Sequence, residues 1–327
     1  DGLLYGTVAT NLNRCVDFET LSASFTEHGI AHMPVKGYYL RKLYPTPELR
    51  TFGDIDLLIH PEDRQKVHEL MLSLGYTVKQ DWEPTYSYIK DAEYYEIHTN
   101  LMDGNLDGRT DLQAYFDAAW AHAEPDDGLR FRPKDDFHFI YTVCHLAKHL
   151  YGGGAGLRMY LDVALYVKHK DDSLHWQAIA GEFAALHLEE FFYTVMNACR
   201  VWFGTKTICP LPEPDTEALD RLLSYTLDSD LFGHSRDHAV IELRNEKDKS
   251  PSRSRVLRKM LFPPASEIES RYTFLRNRHW LLPLAWLVRL FANLRLIPSR
   301  ICQMKQVTKT DKASVETYDG FMRRIGL

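Results

Sequence analysis

The chain has 327 residues, 45% of them apolar and 26% charged, and a formal net charge of −6. This composition excludes a disordered, collagen-like or low-complexity chain, and the acidic balance argues against a surface that binds nucleic acid all over. The length allows roughly two domains and a sizeable core.

In chain order, residues 7–28 read as a helix, with Leu12, Val16, Phe18, Leu21 and Phe25 near helical spacing and Gly29 as its stop. Ala31 to Val35 reads as a short buried strand that ends at Lys36-Gly37, and Tyr38 to Leu43 as a helical turn closed by Tyr44-Pro45-Thr46-Pro47. Asp54 to Ile59 is a strand, Glu62 to Leu74 a helix, and Tyr76 to Gln80, Tyr86 to Lys90 and Tyr94 to Leu101 are strands rich in Tyr, Thr and Ile. After Pro133 the pattern turns helical, over Phe137–Leu150, Leu157–Lys168, Trp176–Leu186 and Glu189–Phe203. Asn245 to Ser254 is polar and serves as the best linker candidate. The expected division is 1–132 (mixed α/β), 133–247 (helical) and 248–327 (basic, helical).

Charge is uneven. Lys249 to Lys312 holds fourteen Lys/Arg against three Asp/Glu, an excess of eleven positive charges beside an acidic remainder. Such a segment either pairs within the molecule or offers an anion-binding surface. The longest apolar stretch, Trp280 to Pro298, is interrupted by Pro283, Arg289, Asn293 and Arg295, so no transmembrane helix is expected. It reads as an amphipathic helix, packed or on a membrane surface, with Trp286, Leu287, Leu290, Phe291 and Leu294 on one face.

The five cysteines (15, 144, 199, 209 and 302) are odd in number, widely spaced and free of any C-x-x-C. This argues against a disulfide framework or a zinc knuckle and for a reducing compartment. The start, Asp1-Gly2-Leu3, shows no basic n-region before an apolar segment, and a cytoplasmic location is expected.

The sharpest local feature is Gly53-Asp54-Ile55-Asp56. Residues i and i+2 of a strand share a face, so Asp54 and Asp56 present two carboxylates side by side. Their repulsion calls for a cation or a shared proton, and Mg²⁺ takes oxygen ligands of this kind; the bland alternative is two surface aspartates at a strand edge. Glu96 and His98 share a face of another strand. A third carboxylate there completes a two-metal site for phosphoryl or nucleotidyl transfer. Lys36-Gly37, between a strand and a helix, suits a phosphate contact.

The helical part adds His145, Lys148 and His149 on one helix, with the two histidines four residues apart. They are buried or capping residues, substrate contacts or a metal pair; no H-E-x-x-H occurs. Arg158 and Asp162, also four apart, are placed to pair with each other. Gly152–Gly156 is not a P-loop and reads as a helix connector. Trp82, Tyr86, Tyr88, Tyr94 and Tyr95 either pack the sheet or stack a base.

Pro34-Val35-Lys36-Gly37, Tyr44-Pro45-Thr46-Pro47, Arg50 and Asp54-Ile55-Asp56-Leu57-Leu58-Ile59 together resemble the uncharacterised nucleotidyltransferase family of the DNA polymerase β-like superfamily. The likeness continues through Tyr95-Glu96-Ile97-His98, His145 to His149, Gly153 to Arg158 and Asp162, and spans roughly residues 10 to 300. It implies an α+β fold, with a polymerase-β-like palm (a small mixed sheet with helices) followed by an all-helical domain. It implies that Asp54, Asp56 and Glu96 are the catalytic metal ligands, for Mg²⁺ or else Mn²⁺, with Glu96 helping to deprotonate an acceptor hydroxyl. Lys36, Gly37, Arg50, His98, Lys148, His149, Arg158 and Asp162 become substrate-binding candidates. Of these, Lys148, His149 and Arg158 are expected to face the carboxylates.

One departure stands out: Lys36-Gly37 replaces the Gly-Ser that the superfamily usually carries before the D-x-D. The expected activity is transfer of an NMP group from an NTP, taken as ATP, to a hydroxyl of a protein, RNA or small molecule. The basic C-terminal part would recognise an acidic acceptor. The alternatives are a catalytically silent nucleotide- or anion-sensing module, and a metal-dependent phosphohydrolase that uses the same acids with His98 and His145.

Overall fold

A computed structural model describes residues 2–51, 53–102, 104, 106, 111–228, 253–268, 271–275, 278–292 and 312–327. The elements of the sheet region are α1 (Gly2–Glu27), β1 (His32–Pro34), α2 (Gly37–Leu40), β2 (Ile55–Ile59), α3 (Arg64–Ser73), β3 (Thr77–Trp82), β4 (Thr85–Lys90), β5 (Glu93–His98), α4 (Leu112–Phe116), β6 (Ala123–Asp127) and β7 (Arg130–Pro133). Four helices follow, α5 (Asp135–Gly152), α6 (Leu157–Lys170), α7 (Trp176–Ala185) and α8 (Glu189–Phe203). This is the expected α+β fold, a mixed sheet followed by helices.

The seven strands lie in the order β3-β4-β5-β2-β1-β7-β6. β2 runs parallel to β5 and antiparallel to β1, and β1 runs parallel to β7. Strand parity separates packing from chemistry. Ile55, Leu57 and Ile59 of β2 and Tyr95 and Ile97 of β5 enter one core with Phe18, Leu21 and Phe25 of α1 and Val67, Leu70 and Met71 of α3. Fully burying one such side chain contributes about 1.5–3 kcal/mol. Asp56, Glu96 and His98 occupy the alternate positions.

The sequence reading did not find β6 and β7. Its signal is the Asp127-Gly128 turn between them, where Gly128 adopts a φ of 57° that favours glycine. The strands themselves are short and carry Asp, Glu and Arg, which hid them.

The described chain groups into two compact units, Asp1–Ala147 with Arg158–Pro214, and Lys148–Leu157 with Asp215–Leu327. The sheet therefore shares its unit with most of α5 and with α6, α7 and α8. Within that unit Phe183 and Phe192 stack at 4.7 Å between α7 and α8. In the second unit, α9 (Thr216–Asp228) is tied to the C-terminal helix Lys312–Arg324, where Arg324 donates to Asp215 and Glu217. Of the linker candidate, 245–252 lies outside the described residues, and Arg253 and Ser254 begin the helix Arg253–Leu261. Cys15, Cys144, Cys199 and Cys209 are free and buried, and Cys302 lies outside the described residues. Among the described residues no helix is long and apolar enough to cross a membrane.

Candidate active site

The parallel pair β2–β5 places Asp56 opposite Glu96 and Leu58 opposite His98. Asp54 lies one residue ahead of β2. A one-residue slip of β2 would turn Asp56 into the apolar core, so burial of Leu57 and Ile59 fixes the register that keeps the acid on the other face. Ligand atoms of Asp56, Glu96 and His98 lie within 4.8 Å of one another, close enough to hold a metal ion.

Asp56 is 4% exposed and its Oδ1 accepts two hydrogen bonds, from Lys36 Nζ at 2.7 Å and from His98 Nε2 at 2.9 Å. Burial alone would raise its pKa, but the Lys36 ammonium and His98 outweigh it and hold the carboxyl well below the usual range. Thr85 Oγ1 sits 3.1 Å from His98 Nδ1. His98 thus bridges Thr85 and Asp56, one through each ring nitrogen. Asp54 goes the other way: burial and the negative charges of Asp56 and Glu96 push it up to about 7, with Lys36 opposing.

Lys36 has a φ of 49° and a ψ of −118°, a backbone conformation that L-residues rarely adopt. It caps α2, whose Tyr39 and Leu40 amides donate to its carbonyl. The cap faces a helix of four residues, too short for the helix-terminus phosphate site that the sequence suggested. The side chain instead points at Asp56, beneath the Tyr141 ring of α5, whose centroid is 6.0 Å from Nζ. The Asp56 attraction outweighs burial and keeps the lysine charged.

Arg50 and Asp162 are 5% and 3% exposed and form a bidentate pair, with Nε and Nη2 each 2.7 Å from a carboxylate oxygen. The Tyr44 hydroxyl donates to Asp162 at 2.8 Å. Arg158 does not pair with Asp162 as its spacing suggested; its Nη1 donates to the Thr51 carbonyl at 2.6 Å. These contacts fasten Tyr44, Arg50 and Thr51, which precede the acids, to α6. Lys148 and His149 belong to the second unit. The Gly152–Gly156 stretch is the expected connector between α5 and α6.

Sequence reasoning missed three contributors: Thr85 on His98 Nδ1, Tyr141 over Lys36, and Tyr44 on Asp162. A lone Thr or Tyr carries no pattern that marks such a contact before strand register and helix packing are known.

Two strand-borne acids in register, a third one residue ahead of the strand and a charged lysine thus come together at β2 and β5. A model of the family described as uncharacterised nucleotidyltransferase matches residues 4–204, more than half of the chain, and the chain belongs to this family. It is a transferase. Among solved structures, the solution structure of the antibiotic-resistance factor ANT(2'')-Ia aligns with 60% of this chain and all of its own length, at 13% identity and a TM-score of 0.38. No curated protein matches.

Proposed function

We propose that the protein transfers an NMP group from an NTP to a hydroxyl acceptor with the help of Mg²⁺ held by Asp54, Asp56 and Glu96. The observation that supports this most is the in-register pairing of Asp56 with Glu96 on the face of the sheet opposite its core. The donor set fits a hard divalent cation, because it is made of carboxylate oxygens whose mutual repulsion one ammonium only partly offsets. Bound there, the cation would neutralise the triphosphate and stabilise the charge on departing pyrophosphate.

The chain's own residues do the rest. His98 and Lys36 both hold Oδ1 of Asp56 and fix the carboxylate that would help to hold the cation. His98 positions Asp56, whose Oδ1 it meets through Nε2. Glu96, part-exposed at 26% of its side chain, accepts the proton of the acceptor hydroxyl. Lys36 keeps a fixed positive charge where phosphates arrive. Arg50, Asp162 and Arg158 act from behind, by fixing the loop that carries Asp54. ATP is the first NTP to test, and a cytoplasmic setting suits the free thiols.

The second reading, a silent sensor of nucleotides or anions, is favoured by the Lys36–Asp56 pair, which neutralises one acid without a metal. Product analysis with Mg²⁺ and each NTP separates the possibilities. Pyrophosphate released in step with an acceptor adduct supports transfer. Phosphate or NMP released with no adduct points to a hydrolase, and tight NTP binding with no product points to the sensor.

A further inference from the structure

In the second unit the helix Leu282–Ala292 is held from one side only. Ala285 is buried with Ile268, Tyr272 and Leu275. The Trp286 indole N–H donates to the Pro263 carbonyl at 2.9 Å, its ring meets Phe262 at 5.1 Å, and Arg289 Nη1 donates to the Met260 carbonyl at 3.1 Å. The other side is apolar and open to water. Leu284, Leu287, Val288 and Phe291 are 49%, 54%, 42% and 67% exposed, and Trp280, one turn earlier, is 77% exposed. Their spacing puts them on one stripe. Leu261 and Phe262, beside the Trp286 ring, are also about half exposed.

A continuous apolar surface of this kind marks an interaction site. The charge of the segment selects the partner. From Lys249 to Lys312 the sequence holds fourteen Lys/Arg against Glu267, Glu269 and Asp311. Exposed Arg278 lies two residues before Trp280, and exposed Arg258 lies one helical turn before Phe262, whose amide donates to its carbonyl. Cations thus bracket the apolar face at both approaches. A second copy would bring like charge against like charge. Single-stranded RNA stacks its bases on aromatic rings, whereas this stripe is mainly Leu and Val. An anionic bilayer satisfies both features, taking the apolar stripe at its headgroup–acyl boundary and the arginines at its phosphates. The eleven described residues Leu282–Ala292 suit an interfacial helix and are fewer than a crossing needs.

We propose that this helix docks the protein onto anionic membrane surfaces through Trp280, Leu284, Leu287, Val288 and Phe291, with Arg258 and Arg278 at the headgroups. The test is flotation of the full chain with vesicles of phosphatidylcholine alone, or of equal parts phosphatidylcholine and phosphatidylglycerol, at low and high salt. The protein is expected to float with the anionic vesicles, to float less as salt rises, and to stay behind with phosphatidylcholine. The double variant Leu287→Glu/Phe291→Glu should lose about tenfold or more in partitioning. It should keep its melting temperature, since both side chains already face water. Arg278→Glu should lose part of the binding. No flotation with anionic vesicles, or equal flotation of the double variant, would overturn the proposal. So would a dimer in sedimentation, or binding to single-stranded RNA, that the double variant abolishes while vesicles leave the protein untouched.

Discussion

Asp56 and Lys36 show how one buried pair can be both a structural and a chemical element. A carboxylate 4% exposed would be protonated without a partner; the lysine supplies the charge and His98 a second donor to the same oxygen. Removing one partner from a buried pair destabilises by about 3–5 kcal/mol, because the other charge is left uncompensated. Lys36→Met should therefore lower the melting temperature in EDTA. Mg²⁺ or Mn²⁺ should then restore more stability to the variant than it adds to the parent, because the cation replaces the missing ammonium beside Asp56. A differential scanning measurement with and without metal reads this directly. Equal metal shifts in the two proteins would mean that the cation does not reach Asp56.

At the scale of elements, two devices aim the acids: the β2–β5 register and the clamp on the loop before β2. The clamp is Arg50 and Tyr44 on Asp162, with Arg158 on Thr51. Asp162→Ala leaves a guanidinium buried without its carboxylate and should destabilise the fold by about 3–5 kcal/mol, read as a lower denaturant midpoint. Arg158→Lys, which keeps charge but changes the donor geometry, should alter the apparent KM for NTP more than the midpoint, through the position of Asp54. The β2 and β5 acids were legible in the sequence because strand parity is local: alternation in Asp54–Ile59 and in Tyr95–His98 fixes which side chains share a face. The clamp was not. Its partners are 112 residues apart, and the i, i+4 spacing of Arg158 and Asp162 pointed to a local pair that a better-placed Arg50 displaces. Lys36 was legible as a strand-end cation, but its direction was not, since that depends on a positive φ at a non-glycine residue.

The unit that carries the sheet also contains two buried histidines that each favour the folded state less in acid. His32 is fully buried, with Nδ1 against the Ile30 carbonyl at 3.1 Å and Nε2 against Ser22 Oγ at 2.7 Å; burial pushes its pKa down to about 4. Burial lowers His138 to about 4 as well. Both are neutral in the folded state and take up a proton near pH 6.5 when unfolded. Their contribution is complete above that pH and is lost as the pH falls from about 6.5 to about 4, up to about 3 kcal/mol for each. Asp54, raised to about 7, acts in the opposite direction over this window, so the histidine contribution is read by comparison: urea midpoints should fall less, or rise more, between pH 7 and pH 4 in His32→Gln than in the parent. A slope that is unchanged in that variant would place the sensitivity elsewhere. The mixed α/β region followed by helices was readable from the change in periodicity after Pro133, whereas the grouping of the sheet with α6, α7 and α8 rests on distant contacts such as Arg50–Asp162 that no local pattern encodes.

The central claim is that Asp54, Asp56 and Glu96 drive nucleotidyl transfer, and a labelling assay tests it most directly. The protein is incubated with Mg²⁺ or Mn²⁺ and each α-labelled NTP in turn, alone and with cell extract, beside Asp56→Asn and Glu96→Gln. Circular dichroism confirms that both variants are folded. Label should pass to a protein, RNA or small-molecule acceptor in a metal-dependent manner, and transfer should fall by about 10³-fold or more in both variants. Transfer that persists in the folded variants, or the absence of transfer with any NTP despite metal-dependent nucleotide binding, would contradict the account.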